Sequence, residues 1–135
     1  MGAAVSITVS KLARILVVDD EQGLRRLLNF WLERAGFVVE QAEDGIEALE
    51  KLQQCRFDIV LTDIQMPRMN GITLAQQVRA NFPETKILFT SGFAEALDEH
   101  PDIKRMTLLK PYSKDQVIEY VQSAGLWCQP DESAI

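Results

Sequence analysis
The sequence predicts an α/β domain built on one parallel sheet of five strands, with helices alternating along the chain. Three observations carry this. Apolar runs rich in β-branched residues recur at Arg14–Val18, Phe37–Gln41, Phe57–Thr62, Lys86–Thr90 and Met106–Leu109; the first, third and fourth are almost continuously apolar, as strands covered on both faces are. Segments of helical periodicity separate them, which implies right-handed crossovers. The chain has 135 residues, 47% hydrophobic and 25% charged, a size and balance that suit one domain with its own core.

The elements follow in order. After the first strand, Leu24, Leu27, Leu28, Trp31, Leu32 and Ala35 form a helical stripe that Gly36 closes; Trp31 lies on this stripe and reads as core. Asp44 with Glu47 has the form of a capping box ahead of Ile46, Leu49 and Leu52. Asn70-Gly71 opens a helix carrying Ile72, Ala75, Val78 and Arg79, which stops before Pro83. Pro101 interrupts the next connection, so the fourth helix is predicted to be short or irregular. Ser113 with Gln116 caps the last helix, which holds Val117, Ile118 and Val121; Gly125 is predicted to end it, with Trp127 as a packing anchor. The domain is placed at residues 12–127, with residues 1–11 and 128–135 as flexible tails. No internal repeat or low-complexity segment is present.

Composition removes several classes of function. The net charge of −6 provides no broad basic face for direct nucleic-acid binding. No apolar run reaches the roughly 18 residues of a membrane span, and Met1 to Ser10 lacks the basic flank and apolar stretch of a signal peptide. Cys55 and Cys128 are too few for a disulfide framework and lack metal-site spacing; they read as reduced thiols of a cytoplasmic protein. The single histidine, His100, excludes a histidine-built metal site.

The chemistry gathers at the strand ends, where open α/β sheets bind ligands. The first strand runs into Asp19-Asp20-Glu21, the third into Thr62-Asp63, the fourth into Thr90-Ser91-Gly92 and the fifth into Lys110-Pro111-Tyr112. Each alone is an ordinary polar turn. Together, on adjacent parallel strands, they bring Asp19, Asp20, Asp63, Ser91 and Lys110 to one edge. Three crowded carboxylates raise one another's pKa unless a cation intervenes. Hard oxygen donors with open water positions suit Mg²⁺, which also binds phosphoryl oxygens. A carboxylate can act as the nucleophile, and transfer of a phosphoryl group needs a metal, a cation and a hydrogen-bond donor around its oxygens.

With these motifs the chain resembles the response-regulator receiver family over residues 12 to 126. The resemblance rests on the acidic pair Asp19-Asp20, on Asp63 followed by Met66-Pro67 and Asn70-Gly71, on Ser91, and on Lys110-Pro111. It implies a flavodoxin-like, doubly wound sheet in the order 2-1-3-4-5. Asp63 would be the phosphoacceptor. Mg²⁺ (or Mn²⁺) would be held by Asp20, Asp63 and the backbone carbonyl of Gln65, with Asp19 acting through water. Ser91 would hydrogen-bond the phosphoryl group, and Lys110 would pair first with Asp63 and then with that group. Pro111 would be cis. The phosphodonor would be a phosphohistidine of a histidine kinase or histidine phosphotransfer protein, and output would pass by contact to a downstream protein or, on phosphorylation, to a dimer. A phosphorelay intermediate, a phosphate sink, or a receiver cut from a hybrid kinase are the alternatives. No catalysis is expected beyond the domain's own phosphorylation and dephosphorylation.

Two departures mark this chain. The family's switch aromatic, just ahead of the lysine, is Thr107 here, and the stretch between Ser91 and Lys110 is shorter than usual. The runs Phe89-Thr90-Ser91-Gly92-Phe93 and Lys110-Pro111-Tyr112 resemble a mostly single-domain subgroup with Phe-Ala-Thr-Gly in the fourth strand and Lys-Pro-Tyr after the fifth. Tyr112 is then either a substitute switch aromatic or a packed aromatic beside the last helix. Gln65, two residues beyond Asp63, is expected to tune hydrolysis of the acyl phosphate by controlling access of water.

Overall fold
The structure, a computed structural model, describes residues 13–133, with side chains through Ala124. Five strands, β1 (Arg14–Val18), β2 (Val38–Ala42), β3 (Ile59–Asp63), β4 (Lys86–Ser91) and β5 (Thr107–Leu109), form one sheet in the order β2-β1-β3-β4-β5. Every pairing is parallel. The helices are α1 (Gln22–Arg34), α2 (Gly45–Gln54), α3 (Gly71–Asn81), α4 (Pro101–Met106) and α5 (Lys114–Ser133), with a 3₁₀ turn at Ala94–Leu97.

Side-chain alternation divides the core in two. On β1, Leu16 and Val18 join Val60, Phe89, Ala48, Leu52, Leu74 and Val78 on one face of the sheet. Ile15 and Val17 join Ile59, Leu61, Leu28, Leu32, Val117 and Val121 on the other. Burial on both faces is why these strands read as continuous apolar runs rather than as alternating ones.

The caps follow the sequence. Asp44 Oδ1 accepts the Glu47 N–H at 2.8 Å, but Glu47 Oε1 accepts from Glu43 rather than from the cap residue. Asn70 Oδ1 accepts the Thr73 N–H at 2.8 Å. Ser113 and Gln116 close a full reciprocal box at 3.1 and 2.8 Å. Gly36 takes φ +105° at the end of α1, a conformation L side chains avoid.

Several expectations are adjusted. Leu27 and Ile46 are exposed, whereas Leu28 and Leu32 on α1 and Ala48 and Leu52 on α2 are buried. On α3 the buried set is Gly71, Leu74, Ala75 and Val78, while Arg79 faces solvent. The fourth connection is broken into the 3₁₀ turn and the six-residue α4, which begins at Pro101. Helix α5 continues through Gly125 to Ser133; a glycine weakens a helix interior by about 1 kcal/mol but does not terminate it. The tail at residues 1–11 and the side chains of Trp127 and Cys128 lie outside the described residues.

Candidate functional site
The sheet register assembles the site. Val18 pairs with Thr62, so Asp19 and Asp63 leave neighbouring strands side by side. Asp63 pairs with Thr90, and Ser91 pairs with Leu109, one residue before Lys110. The Lys110 N–H donates to the Ser91 carbonyl at 2.8 Å, and the Lys110–Pro111 bond is cis.

Asp19, Asp20 and Asp63 can each offer one carboxylate oxygen to a common point, those oxygens lying within 4.8 Å of one another. Asp19 and Asp63 are buried and Asp20 is exposed. The two buried carboxylates share one cation: Lys110 Nζ donates to Asp19 Oδ2 at 3.3 Å and to Asp63 Oδ2 at 3.2 Å. Asp19 Oδ1 accepts the Glu21 N–H at 2.9 Å, so both its oxygens are engaged. Asp63 Oδ1 is buried with no hydrogen-bond partner among the described residues.

The electrostatics follow. Burial, then the charge of Asp19, pushes the Asp63 carboxyl from 3.8 up to about 6; Lys110 opposes the rise without cancelling it, and Asp20 adds to it. Burial pulls the Lys110 ammonium down, but Asp19 and Asp63 outweigh it and hold its pKa above the ordinary lysine value. Burial, followed by Asp19, Asp63 and Glu21, pushes the Tyr112 phenol up; its hydroxyl is buried without a partner among the described residues. The Tyr112 ring packs against the core cluster shared by α1 and α5.

The residue at the missing-aromatic position has a local task. Thr107 Oγ1 donates to the Ile103 carbonyl at 2.6 Å, closing α4 onto β5. Ser91, fully buried, donates from Oγ to Gln65 Oε1 at 2.8 Å and accepts the Phe93 N–H at 3.0 Å.

The loop after Asp63 is held from three sides. The Gly71 N–H donates to the Ile64 carbonyl at 2.8 Å. A Cβ at Gly71 would press on the Asp63 carbonyl oxygen and lie 2.9 Å from Ile64 Cα, so the close approach of α3 to β3 requires glycine. Arg68, at φ 68°, pairs with the buried Asp44 at the start of α2.

The residues that meet here are legible in the sequence, but three of their contacts are not. The Gln65 amide reaches Ser91. Arg25 Nη1 donates to the Asp19 carbonyl at 2.6 Å while its Nε donates to Gln41. Arg68 ties the loop to α2. None carries a local signal, because each depends on how two separate elements pack. A groove of about 450 Å³ lined by Leu52–Phe57 and Asn81–Thr85 opens at the amino ends of β3 and β4, away from the carboxylates.

A 2-1-3-4-5 parallel sheet with an acidic pocket and a lysine at its carboxyl edge defines the receiver class of signalling domain. The family model described as "Response regulator receiver domain" matches residues 15–122, and the chain belongs to that family: it is a receiver domain of two-component signalling. It is 38% identical over 112 residues to the response regulator receiver protein CpdR of Brucella abortus, covering 81% of this chain and 93% of that one. The structure of chemotaxis response regulator CheY4 of Vibrio cholerae superposes with a TM-score of 0.75 at 31% identity, covering 84% of this chain and 98% of that one. The response regulator protein TrrA of Thermotoga maritima, in complex with Mg(2+)-BeF, gives 0.73 at 31% identity over 83% of this chain and 98% of that one. Receiver domains interact with histidine kinases or phosphotransfer proteins and bind Mg²⁺ at an acidic pocket. Among the described residues, no helix is long and apolar enough to cross a membrane.

Proposed function
We propose that Asp63 accepts a phosphoryl group from a phosphohistidine, and that this shifts an existing conformational equilibrium of the domain. The observation that carries the reading is the asymmetric environment of the Asp63 carboxylate. One oxygen is held by Lys110, while the other is buried and has no donor among the described residues. A buried, unpartnered carboxylate oxygen is costly unless a cation or a new bond meets it.

The donor set fits a hard divalent cation. Both oxygens of Asp19 are already engaged, whereas Asp63 Oδ1 lacks a partner among the described residues and Asp20 is exposed. Asp20 and Asp63 would therefore hold the ion directly, with the Gln65 carbonyl, and Asp19 would act through water. When bound, Mg²⁺ (or Mn²⁺) neutralises carboxylate and phosphoryl charge together. TrrA in its Mg(2+)-BeF complex is a relative with this chemistry at hand.

In the transfer, an Asp63 carboxylate oxygen forms a bond to phosphorus as the phosphorus–nitrogen bond to the donor imidazole breaks; the released imidazole takes its proton from solvent. Lys110 moves its charge from Asp63 to the phosphoryl oxygens, and Ser91 donates to one of them. Hydrolysis of the acyl phosphate resets the domain, so its catalysis acts on itself alone. Output passes by protein contact through β4, α4 and β5, where Phe93, Met106 and Leu109 are exposed, to a downstream protein or a second copy. The functional unit is residues 12–127. Its place is the cytoplasm, where kinases charge their histidines from ATP.

The test is intact mass after incubation with Mg²⁺ and a small acyl phosphate or phosphoramidate. A gain of one phosphoryl group in the wild type, absent with EDTA and in Asp63→Asn, is the expected result. An equal gain in Asp63→Asn would place the acceptor elsewhere.

A further inference from the structure
We propose that the Gln65 side chain is a latch on the Ser91 hydroxyl, a positioning group that competes with the phosphoryl group for that hydroxyl's single proton. The inference rests on the reading that Asp63 is phosphorylated, and it names the contact that phosphorylation must break.

A serine hydroxyl has one proton to donate. Ser91 has no exposed surface, and its proton is committed to Gln65 Oε1 at 2.8 Å while its lone pair accepts the Phe93 N–H at 3.0 Å. In this state Ser91 has nothing to offer a phosphoryl oxygen. The backbones on both sides are fixed: Ser91 by its ladder to β5 and the Lys110 N–H, and the Gln65 loop by the Gly71–Ile64 bond and the Arg68–Asp44 pair. The exchange of partners therefore falls to the side chains.

The direction of exchange follows from charge. A hydrogen bond to a phosphoryl oxygen is charge-assisted and roughly twice as strong as one to a neutral amide. Phosphorylation takes the proton, and Gln65, half-buried, turns its freed amide to water. Ser91 Oγ must re-aim, and the Phe93 N–H bonded to it moves with it. Phe93 precedes the 3₁₀ turn and is 63% exposed, so the movement reaches the surface between β4 and α4. The switch thereby bypasses Thr107, whose hydroxyl is spent on Ile103. Gln65 thus resists activation directly, beyond any control of water access.

The test is the affinity of Mg²⁺-beryllofluoride, by titration calorimetry, in a double-mutant cycle. Gln65→Met keeps the side-chain length and removes the amide oxygen. It is expected to tighten binding by about fivefold, the size of one neutral hydrogen bond, and to have no effect in a Ser91→Ala background. The Gln65 side-chain amide resonance should shift on beryllofluoride addition in the wild type, and should already lie at the released position in Ser91→Ala. Unchanged affinity in Gln65→Met, or an equal gain in the Ser91→Ala background, overturns the latch and leaves the Asp63 reading standing. Undiminished binding in Asp63→Asn is the distinct signature that the Asp63 reading itself has failed, and the latch falls with it.

Discussion
Lys110 Nζ donates to Asp63 Oδ2 at 3.2 Å, while Oδ1 of the same carboxylate is buried without a donor among the described residues. One oxygen of this carboxylate is thus met by a cation of the protein, while the other is buried without a bond among the described residues.

Removing the cation should slow transfer while leaving the metal ligands in place. Lys110→Met is expected to lower the rate of phosphorylation by a small acyl phosphate about a hundredfold, the usual effect of removing one preorganised charge-stabilising donor. Intact-mass time courses at saturating Mg²⁺ measure it. A rate within about twofold of wild type would mean that the ammonium only neutralises the resting carboxylates.

The raised pKa of Asp63 has a definite sign for stability. In the metal-free fold it titrates at about 6 against an ordinary 3.8, so between those values the folded state binds more protons than the unfolded state. Its penalty is full above pH 6, shrinks as pH falls through this window, and vanishes below 3.8. Asp63→Asn should therefore stabilise the metal-free protein at neutral pH, by on the order of 2–3 kcal/mol, with the gain fading on acidification. Urea unfolding in EDTA across pH reads this; a gain that grew toward low pH would contradict the electrostatic account.

The close approach of α3 to Asp63 depends on Gly71. Gly71→Ala should destabilise the fold by about 2 kcal/mol through overpacking, because the new methyl presses on the Asp63 carbonyl and Ile64 Cα. It should also slow phosphorylation, since the atoms the methyl meets are the backbone of Asp63 and Ile64. Stability lost with no change in rate would show that β3 does not move.

Asp44 joins the loop to α2. Asp44→Ala removes the N-cap bond to Glu47 and the Arg68 pair, and about 1–2 kcal/mol of stability is expected to go with the cap. Asp44→Asn keeps an acceptor for Glu47 and should recover most of that loss, as denaturant midpoints would show.

Much of this was legible in the primary structure because it rests on local patterns. The doubly buried strands, the Asp44, Asn70 and Ser113 caps, and the chemistry-bearing residues at the strand ends are read directly from short segments. The contacts that tune the site were not. Gln65 with Ser91, Arg25 with Asp19 and Arg68 with Asp44 join residues on different elements, so their pairing depends on crossovers and side-chain directions that no periodicity encodes. Gly125 misled for a related reason, since one glycine has too small a helix penalty to override neighbouring turns. The broken fourth helix was visible through Pro101, but the bond from Thr107 to Ile103 that joins it to β5 was not.

Asp63 alone is expected to carry the phosphoryl group. The most direct measurement is borohydride reduction of the phosphorylated protein, followed by peptide mass spectrometry, because hydride converts an aspartyl phosphate to homoserine. Homoserine at position 63 alone, dependent on both Mg²⁺ and the phosphodonor, is the predicted result. Homoserine at position 19 or 20, or a phosphoryl group on Ser91 that resists reduction, would contradict it.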